Sequence, residues 1–144
     1  MKNEMKLEFK SLSENERFAR MTAAAFVLEL DPTTEELSEI KTAISEAVTN
    51  AIIHGYKNGV GIITMTGKIS ENTVIFTVSD RGCGIENVSE ARKPLFSGAK
   101  DSERSGMGFT IMEAFMDNIS VESKLGYGTT LVLTKNISGG LYGN

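Results

Sequence analysis

A run of apolar residues at helical spacing in the first half of the chain most limits the folds available to it. Between residues 37 and 52 apolar side chains recur three and four positions apart, which is the pattern of a helix with one buried face. Gly55 follows and is a suitable C-terminal stop, because glycine adopts the left-handed conformation at helix ends. The recurring residues are Leu37, Ile40, Ala43, Ile44, Ala47, Val48, Ala51 and Ile52.

Three polar residues border the buried face of this helix. Glu46, Asn50 and His54 are four positions apart, and at about 100° per residue they drift by only about 80° around the helix. A carboxylate that can take a proton, beside an amide oxygen that can bind a hard cation, suits the handling of a nucleotide phosphate. The simpler alternative is a polar helix edge, and for His54 we favour that alternative or a supporting role.

The rest of the chain predicts an α+β fold with helices on one face of a sheet. Ser13 and Glu16 have the spacing of a capping box, so a helix is expected from there to about residue 30, and another covers about residues 107–117. We expect one domain over residues 1–137 and a flexible C-terminal tail over 138–144. Alternating apolar residues predict strands at 5–10, 61–69, 73–79, 119–123 and 129–135.

Composition argues against several classes of function. The formal net charge is −4 and no basic stripe is present, so direct nucleic-acid binding is not expected. The single cysteine, Cys83, and the single histidine cannot make an internal disulfide or a zinc cluster. No apolar run approaches the roughly 18–20 residues of a membrane span, and the first ten residues lack the apolar segment of a signal peptide. We therefore expect a cytoplasmic protein with no membrane contact.

Two glycine-rich segments follow the kinds of element at which ligands bind. In Asp80-x-Gly82-x-Gly84, directly after a predicted strand, the carboxylate can accept a hydrogen bond from an exocyclic amine such as that of adenine. Its glycines let the backbone approach a flat ring closely. Ser105-Gly106-Met107-Gly108 opens the helix near residue 107, where backbone N–H groups and the helix dipole favour an anion. Taken singly, each segment is more often a turn or a capped helix start.

Two further segments could serve the same ligand. Arg104 lies beside the second glycine turn and could reach a terminal phosphate, although a solvated loop arginine is the commoner case. Gly126-Tyr127-Gly128-Thr129 precedes the last predicted strand. It reads either as a hairpin turn or as the segment that brings the Thr129 hydroxyl near a bound base.

In this order the segments resemble the N, G1, G2 and G3 boxes of the GHKL ATPase/kinase superfamily, over about residues 35–135. The resemblance implies a Bergerat fold, in which a mixed and mostly antiparallel sheet is layered with helices. It implies that ATP or ADP and Mg²⁺ bind under a lid at about residues 90–106. By the same resemblance Asn50 holds Mg²⁺ and Asp80 binds adenine. The other residues that would form the nucleotide pocket are Gly82, Gly84, Ser105, Gly106, Gly108 and Thr129.

Within the superfamily, residues 45–56, 90–96 and 103–112 resemble anti-sigma factors that are also protein serine kinases, the sporulation branch more than the general-stress branch. A sensor histidine kinase needs a phospho-acceptor histidine on a separate helix, whereas the only histidine here, His54, lies inside the N box. The resemblance implies a homodimer that inhibits a sigma factor in an ATP-favoured complex and phosphorylates a serine of an anti-anti-sigma protein. An ATP-gated binding module without kinase activity stays open as an alternative.

The resemblance also assigns roles to individual residues. Glu46 would be the general base, while Arg104 and Mg²⁺ held through Asn50 would stabilise charge on the transferred group. Arg17 and Arg20 lie three positions apart, on one face of the first predicted helix. With the N-terminal strand, that helix is our candidate for the dimer and sigma-facing surface.

Overall fold

Five strands form one sheet, and three α-helices cover one of its faces, in the computed structural model, which describes residues 2–56, 59–82 and 108–138. This confirms the predicted α+β class. The strand order is β1-β2-β3-β5-β4, and the four pairings between these strands are all antiparallel. The strands are β1 (Lys2–Lys10), β2 (Ile62–Ser70), β3 (Thr73–Asp80), β4 (Asn118–Lys124) and β5 (Gly128–Asn136), and the helices are α1 (Asn15–Val27), α2 (Thr34–Asn50) and α3 (Gly108–Phe115).

The core lies between the helices and the sheet, and α2 is its central helix. Ile40 and Ile44 of α2 and Phe76 of β3 are fully buried, as the apolar periodicity predicts. Burying a side chain of this size stabilises the fold by about 1.5–3 kcal/mol each. Because this packing fixes the rotation of α2 about its axis, it also fixes the direction of the polar stripe along the helix edge.

The predicted capping box at Ser13 and Glu16 is wrong. The N-cap of α1 is Glu14, and no side chain caps this helix end. The Glu16 carboxylate instead accepts a hydrogen bond from the Ser45 hydroxyl on α2. A tertiary partner has replaced the local one, which the spacing of residues within one segment cannot reveal.

A capping box is present at the start of α2, which bears the candidate site. The Thr33 hydroxyl accepts from Glu36 N–H at 3.0 Å, and the Glu36 carboxylate accepts from Thr33 N–H at 2.9 Å. The other Glu36 oxygen accepts from the backbone N–H and the hydroxyl of Ser138, at 2.8 and 2.7 Å. The segment after β5 is therefore attached to the N-terminus of α2 at the first residue of the predicted tail, and residues 139–144 lie outside the described residues.

The C-terminal end of α2 changes its winding. Residues Ala51–Gly55 form a π-helical turn, so the helix ends close to the predicted stop, but Gly55 is the last residue of the turn, without a positive φ, and Tyr56 is the C-cap. Single π turns within helices occur frequently at functional sites, because they alter which side chains share a face. His54 lies in this turn and is half-buried. Across the described ranges no helix is both long and apolar enough to cross a membrane.

Candidate functional site

The N-terminus of α3 lies against the polar stripe of α2. A Cβ atom built on Gly108 would lie 3.2 Å from Glu46 Oε1 and 3.5 Å from the side-chain amide atoms of Asn50. Glu46 and Asn50 are both half-buried. A Cβ atom at position 108 would crowd Glu46 and touch Asn50, so the fold brings together Gly108, the predicted base Glu46 and the predicted metal ligand Asn50.

Asp80, the last residue of β3, is enclosed by glycines from three chain segments. A Cβ atom on Gly55 would lie 2.8 Å from Asp80 Cγ, and one on Gly82 would lie 1.8 Å from the Gly55 carbonyl oxygen. Gly128 has a φ of +114°, and a Cβ atom there would lie 2.2 Å from the Asp80 carbonyl oxygen. The backbones of β3, β5 and the π turn can therefore meet around one carboxylate only because these positions have no side chain.

The environment of Asp80 sets its chemistry. The side chain is buried, with 9% of its residue surface exposed, and Gly82 N–H donates to Asp80 Oδ1 at 2.8 Å. Burial raises the pKa of Asp80 above its ordinary value, and the backbone N–H groups of Gly82 and Thr129 oppose that rise by favouring the carboxylate. A carboxylate held this way is a fixed hydrogen-bond acceptor at the C-terminal end of the central strand.

An open cavity of about 530 Å³ adjoins Asp80 at the ends of β3, β4 and β5. Asp80, Thr129 and Ser123 are successive partners across three strands, so their side chains emerge on the same face of the sheet. Thr129 Oγ1 lies 2.7 Å from Ser123 Oγ, and Ser123 Oγ also donates to the Gly128 carbonyl at 3.1 Å. The cavity thus has a carboxylate and a hydroxyl on one wall, while Glu46 and Asn50 are not among its lining residues.

Three residues that the sequence did not single out hold the site together. Tyr56 Oη accepts from Arg81 N–H at 2.7 Å and donates to the Ile62 carbonyl at 2.9 Å, which ties the end of the π turn to β2 and β3. Ser123 orients Thr129, as described above. Lys135 stands at a buried position of β5 in phase with Leu131 and Leu133, and that alternation is the signal that could have identified it.

Lys135 connects α2, which bears the polar stripe, with α3, whose first residue Gly108 lies against that stripe. Lys135 Nζ donates to the Phe115 carbonyl of α3 at 2.6 Å and lies 3.0 Å from Glu39 Oε1 of α2. The C-terminus of α3 and the first half of α2 are thereby fixed to the same strand. The contact of Gly108 with Glu46 and Asn50 depends on that relative placement.

The remaining predicted residues fall into two groups. Arg17 and Arg20 lie on α1, a different helix, where Arg17 is exposed and Arg20 Nε is 3.6 Å from Glu16 Oε2. The others lie outside the described residues, together with Cys83 and the predicted lid at 90–106. These others are Gly84, Arg104, Ser105 and Gly106.

The chemistry of the donor set fits Mg²⁺ shared with a nucleotide. Asn50 offers an amide oxygen and Glu46 offers a carboxylate oxygen, and both side chains face Gly108, the first residue of α3. Mg²⁺ prefers oxygen ligands and is usually bound by one or two protein groups together with substrate phosphates.

Comparison with known proteins identifies the family to which this chain is similar. The family model described as "Histidine kinase-like ATPase domain" matches residues 9–135. The anti-sigma F factor of Bacillus licheniformis is 57% identical over 139 residues, which is 96% of this chain and 95% of that protein. The anti-sigma F factor of Geobacillus stearothermophilus is 59% identical over 136 residues, covering 94% and 93% of the two chains.

Two solved structures share the fold. The structure of the RsbU and RsbW domains of Rv1364c from Mycobacterium tuberculosis aligns with a TM-score of 0.66 at 20% identity, over 94% of this chain and 32% of that longer chain. The catalytic domain of histidine kinase ThkA aligns with a TM-score of 0.55 at 18% identity, over 92% and 96% of the two chains. At these identities the likeness is one of fold.

Proposed function

This chain belongs to the histidine kinase-like ATPase family and, within it, to the anti-sigma F factors, and from that premise we propose that it is also a protein serine kinase. It inhibits a sporulation sigma factor in a complex that ATP favours, and it phosphorylates a serine of an anti-anti-sigma protein. The observation that carries the proposal is the contact of Gly108 with Glu46 and Asn50, on the same helical segment whose end encloses Asp80.

The arrangement supports a nucleotide lying along α2. Asp80 accepts a hydrogen bond from the adenine amine, and the Thr129 hydroxyl faces the same cavity. The phosphates extend toward Asn50 and the start of α3, whose N-terminus favours negative charge. Gly55, against Asp80, and Glu46 are nine residues apart along α2 and the π turn, which is at most about 13.5 Å at the α-helical rise of 1.5 Å per residue. That separation suits an extended triphosphate with its terminal phosphate near Glu46.

Glu46 is the general base of the proposed transfer. It accepts the proton of the incoming serine hydroxyl as the serine oxygen bonds to the γ-phosphorus and the bond to the leaving ADP oxygen breaks. Asn50 would hold the Mg²⁺ that neutralises charge on the phosphates. We assign Arg104 to the transferred phosphoryl group from the family resemblance. A phosphohistidine intermediate is not part of the proposal, because the only histidine, His54, lies at the end of the site helix itself and not on a separate phospho-acceptor helix.

The outer face of α1 is the proposed surface for the sigma factor. Phe18 and Met21 of α1 are 52% and 51% exposed, and Leu28, in the 3-10 turn that follows the helix, is 56% exposed, so an apolar stripe extends from the helix into that turn beside Arg17. An exposed apolar stripe with cations at its rim is typical of a protein-binding surface. Arg20 contributes a second cation, already oriented by Glu16.

A contiguous set of contacts runs from that surface to the site. The Glu16 carboxylate accepts a hydrogen bond from the Ser45 hydroxyl, and Ser45 directly precedes Glu46 in α2. Nucleotide can bias partner choice only through different affinities of the ATP and ADP states for each partner. The α1–α2 contact is one element through which such a difference can act. For the homodimer we propose the edge of β1, the outer strand of the sheet, together with the adjoining part of α1.

The test uses γ-labelled ATP with Mg²⁺, the purified sigma factor and a serine-bearing anti-anti-sigma protein. We expect label on serine of the anti-anti-sigma protein, and tighter retention of the sigma factor with ATP than with ADP. Sigma retention without any phosphoserine would reduce the protein to an ATP-gated binding module. Absence of both results would refute the proposed function.

A further inference from the structure

Helix α3 is too short to determine its own position. It spans eight residues, Gly108–Phe115, and isolated helices shorter than about 12 residues are marginal in water. It packs against α2, and its buried side chains are Phe109 and Met112. Methionine is unbranched and flexible, so this packing adapts to small shifts of the helix. The apolar face therefore keeps α3 against α2, while polar contacts set its position along its own axis.

The polar contact that connects α3 to α2 is made by Lys135 of β5. Lys135 is 7% exposed, and its Nζ donates to the Phe115 carbonyl at 2.6 Å and lies 3.0 Å from Glu39 Oε1. The last four carbonyls of a helix have no partner within the helix, and the dipole favours a cation at that end. Lys135 thus meets both needs of the C-terminus of α3 and links it to the first half of α2.

Asp117, in the turn after α3, makes a second attachment of a different kind. Its carboxylate accepts from Asn136 N–H at 2.6 Å, and its own N–H donates to the Thr134 carbonyl at 2.8 Å. Both of these contacts go to β5. Asp117 therefore fixes the turn to the sheet, whereas Lys135 fixes the helix to both the sheet and α2.

The other end of α3 lies at the polar stripe. A Cβ atom on Gly108 would be 3.2 Å from Glu46 Oε1 and 3.5 Å from the amide atoms of Asn50. Because a helix moves as a rigid rod, a shift of its C-terminus along the axis moves Gly108 by the same amount. A displacement of about 1 Å is enough to impair a positioned site.

We infer that Lys135 is a positioning residue for the phosphates of the nucleotide, because it fixes the distance between the N-terminus of α3 and the side chains of Glu46 and Asn50. The inference rests on the proposed function, in which the phosphates bind at that N-terminus. Lys135 acts through α3 and does not touch the nucleotide. It stands six residues after Thr129, or about 20 Å along a strand, so the adenine end of the site is outside its reach.

The test compares the affinities of MgATP and adenosine, of which only MgATP carries phosphates. We expect Lys135→Met to bind MgATP about 2- to 10-fold more weakly, the range for one hydrogen bond, and adenosine with wild-type affinity. The matched control is Asp117→Ala, which loosens the attachment to β5 at an exposed position and should keep both affinities. Thermal unfolding sets a temperature at which every variant is folded. Equal losses for the two ligands, or no loss, would overturn the inference.

A second variant cuts the same link from the side of α2. Glu39 is partly exposed, so Glu39→Ala perturbs the core less than a change at Lys135, and it should also weaken MgATP without affecting adenosine. The double variant should bind MgATP no more weakly than Lys135→Met alone, because the link is already broken. Additive losses would overturn the inference while leaving the nucleotide site intact. Failure of the folded wild type to bind MgATP would refute the proposed function and this inference together.

Discussion

Because Asp80 is buried, a rise in pH that ionises it should have opposite effects on the stability of the fold and on nucleotide binding. The pKa of this carboxyl is raised in the folded protein chiefly by burial. The folded state therefore holds the proton more tightly than the unfolded state, and stability falls as pH rises through the interval between the two pKa values. In the proposed site adenine binds to the ionised acceptor, so nucleotide affinity should rise over the same interval.

Replacement of Asp80 by Asn tests both effects at the scale of one residue. We expect Asp80→Asn to weaken ATP binding by about 10- to 100-fold, the range for loss of a hydrogen bond to a charged group. The pH-dependent loss of stability described above should disappear in the variant. Calorimetric titration with ATP and thermal unfolding across acid to neutral pH measure the two quantities. Wild-type affinity in Asp80→Asn would remove Asp80 from the site.

At the scale of elements, the site depends on how α2 and α3 are held against β5. Lys135 joins the two helices and is almost fully buried, whereas its partner Glu39 is partly exposed. Lys135→Met keeps a long apolar side chain but removes the hydrogen bond to α3 and leaves the Glu39 carboxylate without this cation. We expect a loss of about 1–3 kcal/mol in the free energy of unfolding, measured by urea denaturation. Lys68→Met, at an exposed position of β2, should change it by less than about 0.5 kcal/mol.

Helix α1 is the element proposed to bind the sigma factor, and a charge change on it tests that proposal. Charge reversal in Arg20→Glu places a second carboxylate beside Glu16 and removes a cation from the apolar stripe. We expect sigma affinity to fall at least about 10-fold while ATP affinity stays at the wild-type value, as measured by surface-immobilised binding and by nucleotide titration. Lys68→Glu makes the same charge change on β2 and should spare both affinities. Wild-type sigma binding by Arg20→Glu would place the sigma surface elsewhere.

At the scale of the whole molecule, Glu36 is hydrogen-bonded to Ser138, which lies 102 positions later in the chain. Burial alone would raise the pKa of Glu36, but hydrogen bonds from Ser138 and Thr33 together lower it from 4.5 to about 2. The stabilisation that this ionised group contributes is therefore complete above about pH 4.5 and is lost as pH falls toward 2. The C-terminal attachment should open in that interval.

Replacement of Glu36 by Gln tests this link. We expect Glu36→Gln to be less stable than wild type at neutral pH and to show a shallower loss of stability between about pH 4.5 and 2. Acid unfolding followed by circular dichroism measures both effects. Glu35→Gln, in the same exposed helical turn, is the matched control and should keep the wild-type acid profile. An unaltered profile in Glu36→Gln would contradict the role of this carboxylate.

The order of the elements and several of the site residues could be predicted from the sequence, because both follow from local patterns. The period of the apolar residues defines α2, and it also places Glu46 and Asn50 at the border of its buried face. Contacts between distant segments have no such pattern. Gly55 was expected only to stop a helix, yet it lies against Asp80, and Glu16 was expected to cap α1, yet it bonds to Ser45 on α2.

The proposed kinase activity depends above all on Glu46 as the base for phosphoryl transfer to a serine. The most direct test is the single-turnover rate of label transfer from ATP to the anti-anti-sigma protein, for wild type, Glu46→Gln and the exposed control Glu35→Gln. We predict that Glu46→Gln lowers the rate by roughly 10²- to 10⁴-fold while ATP affinity and the Glu35→Gln rate stay near wild type. Transfer by Glu46→Gln at the wild-type rate would contradict the claim.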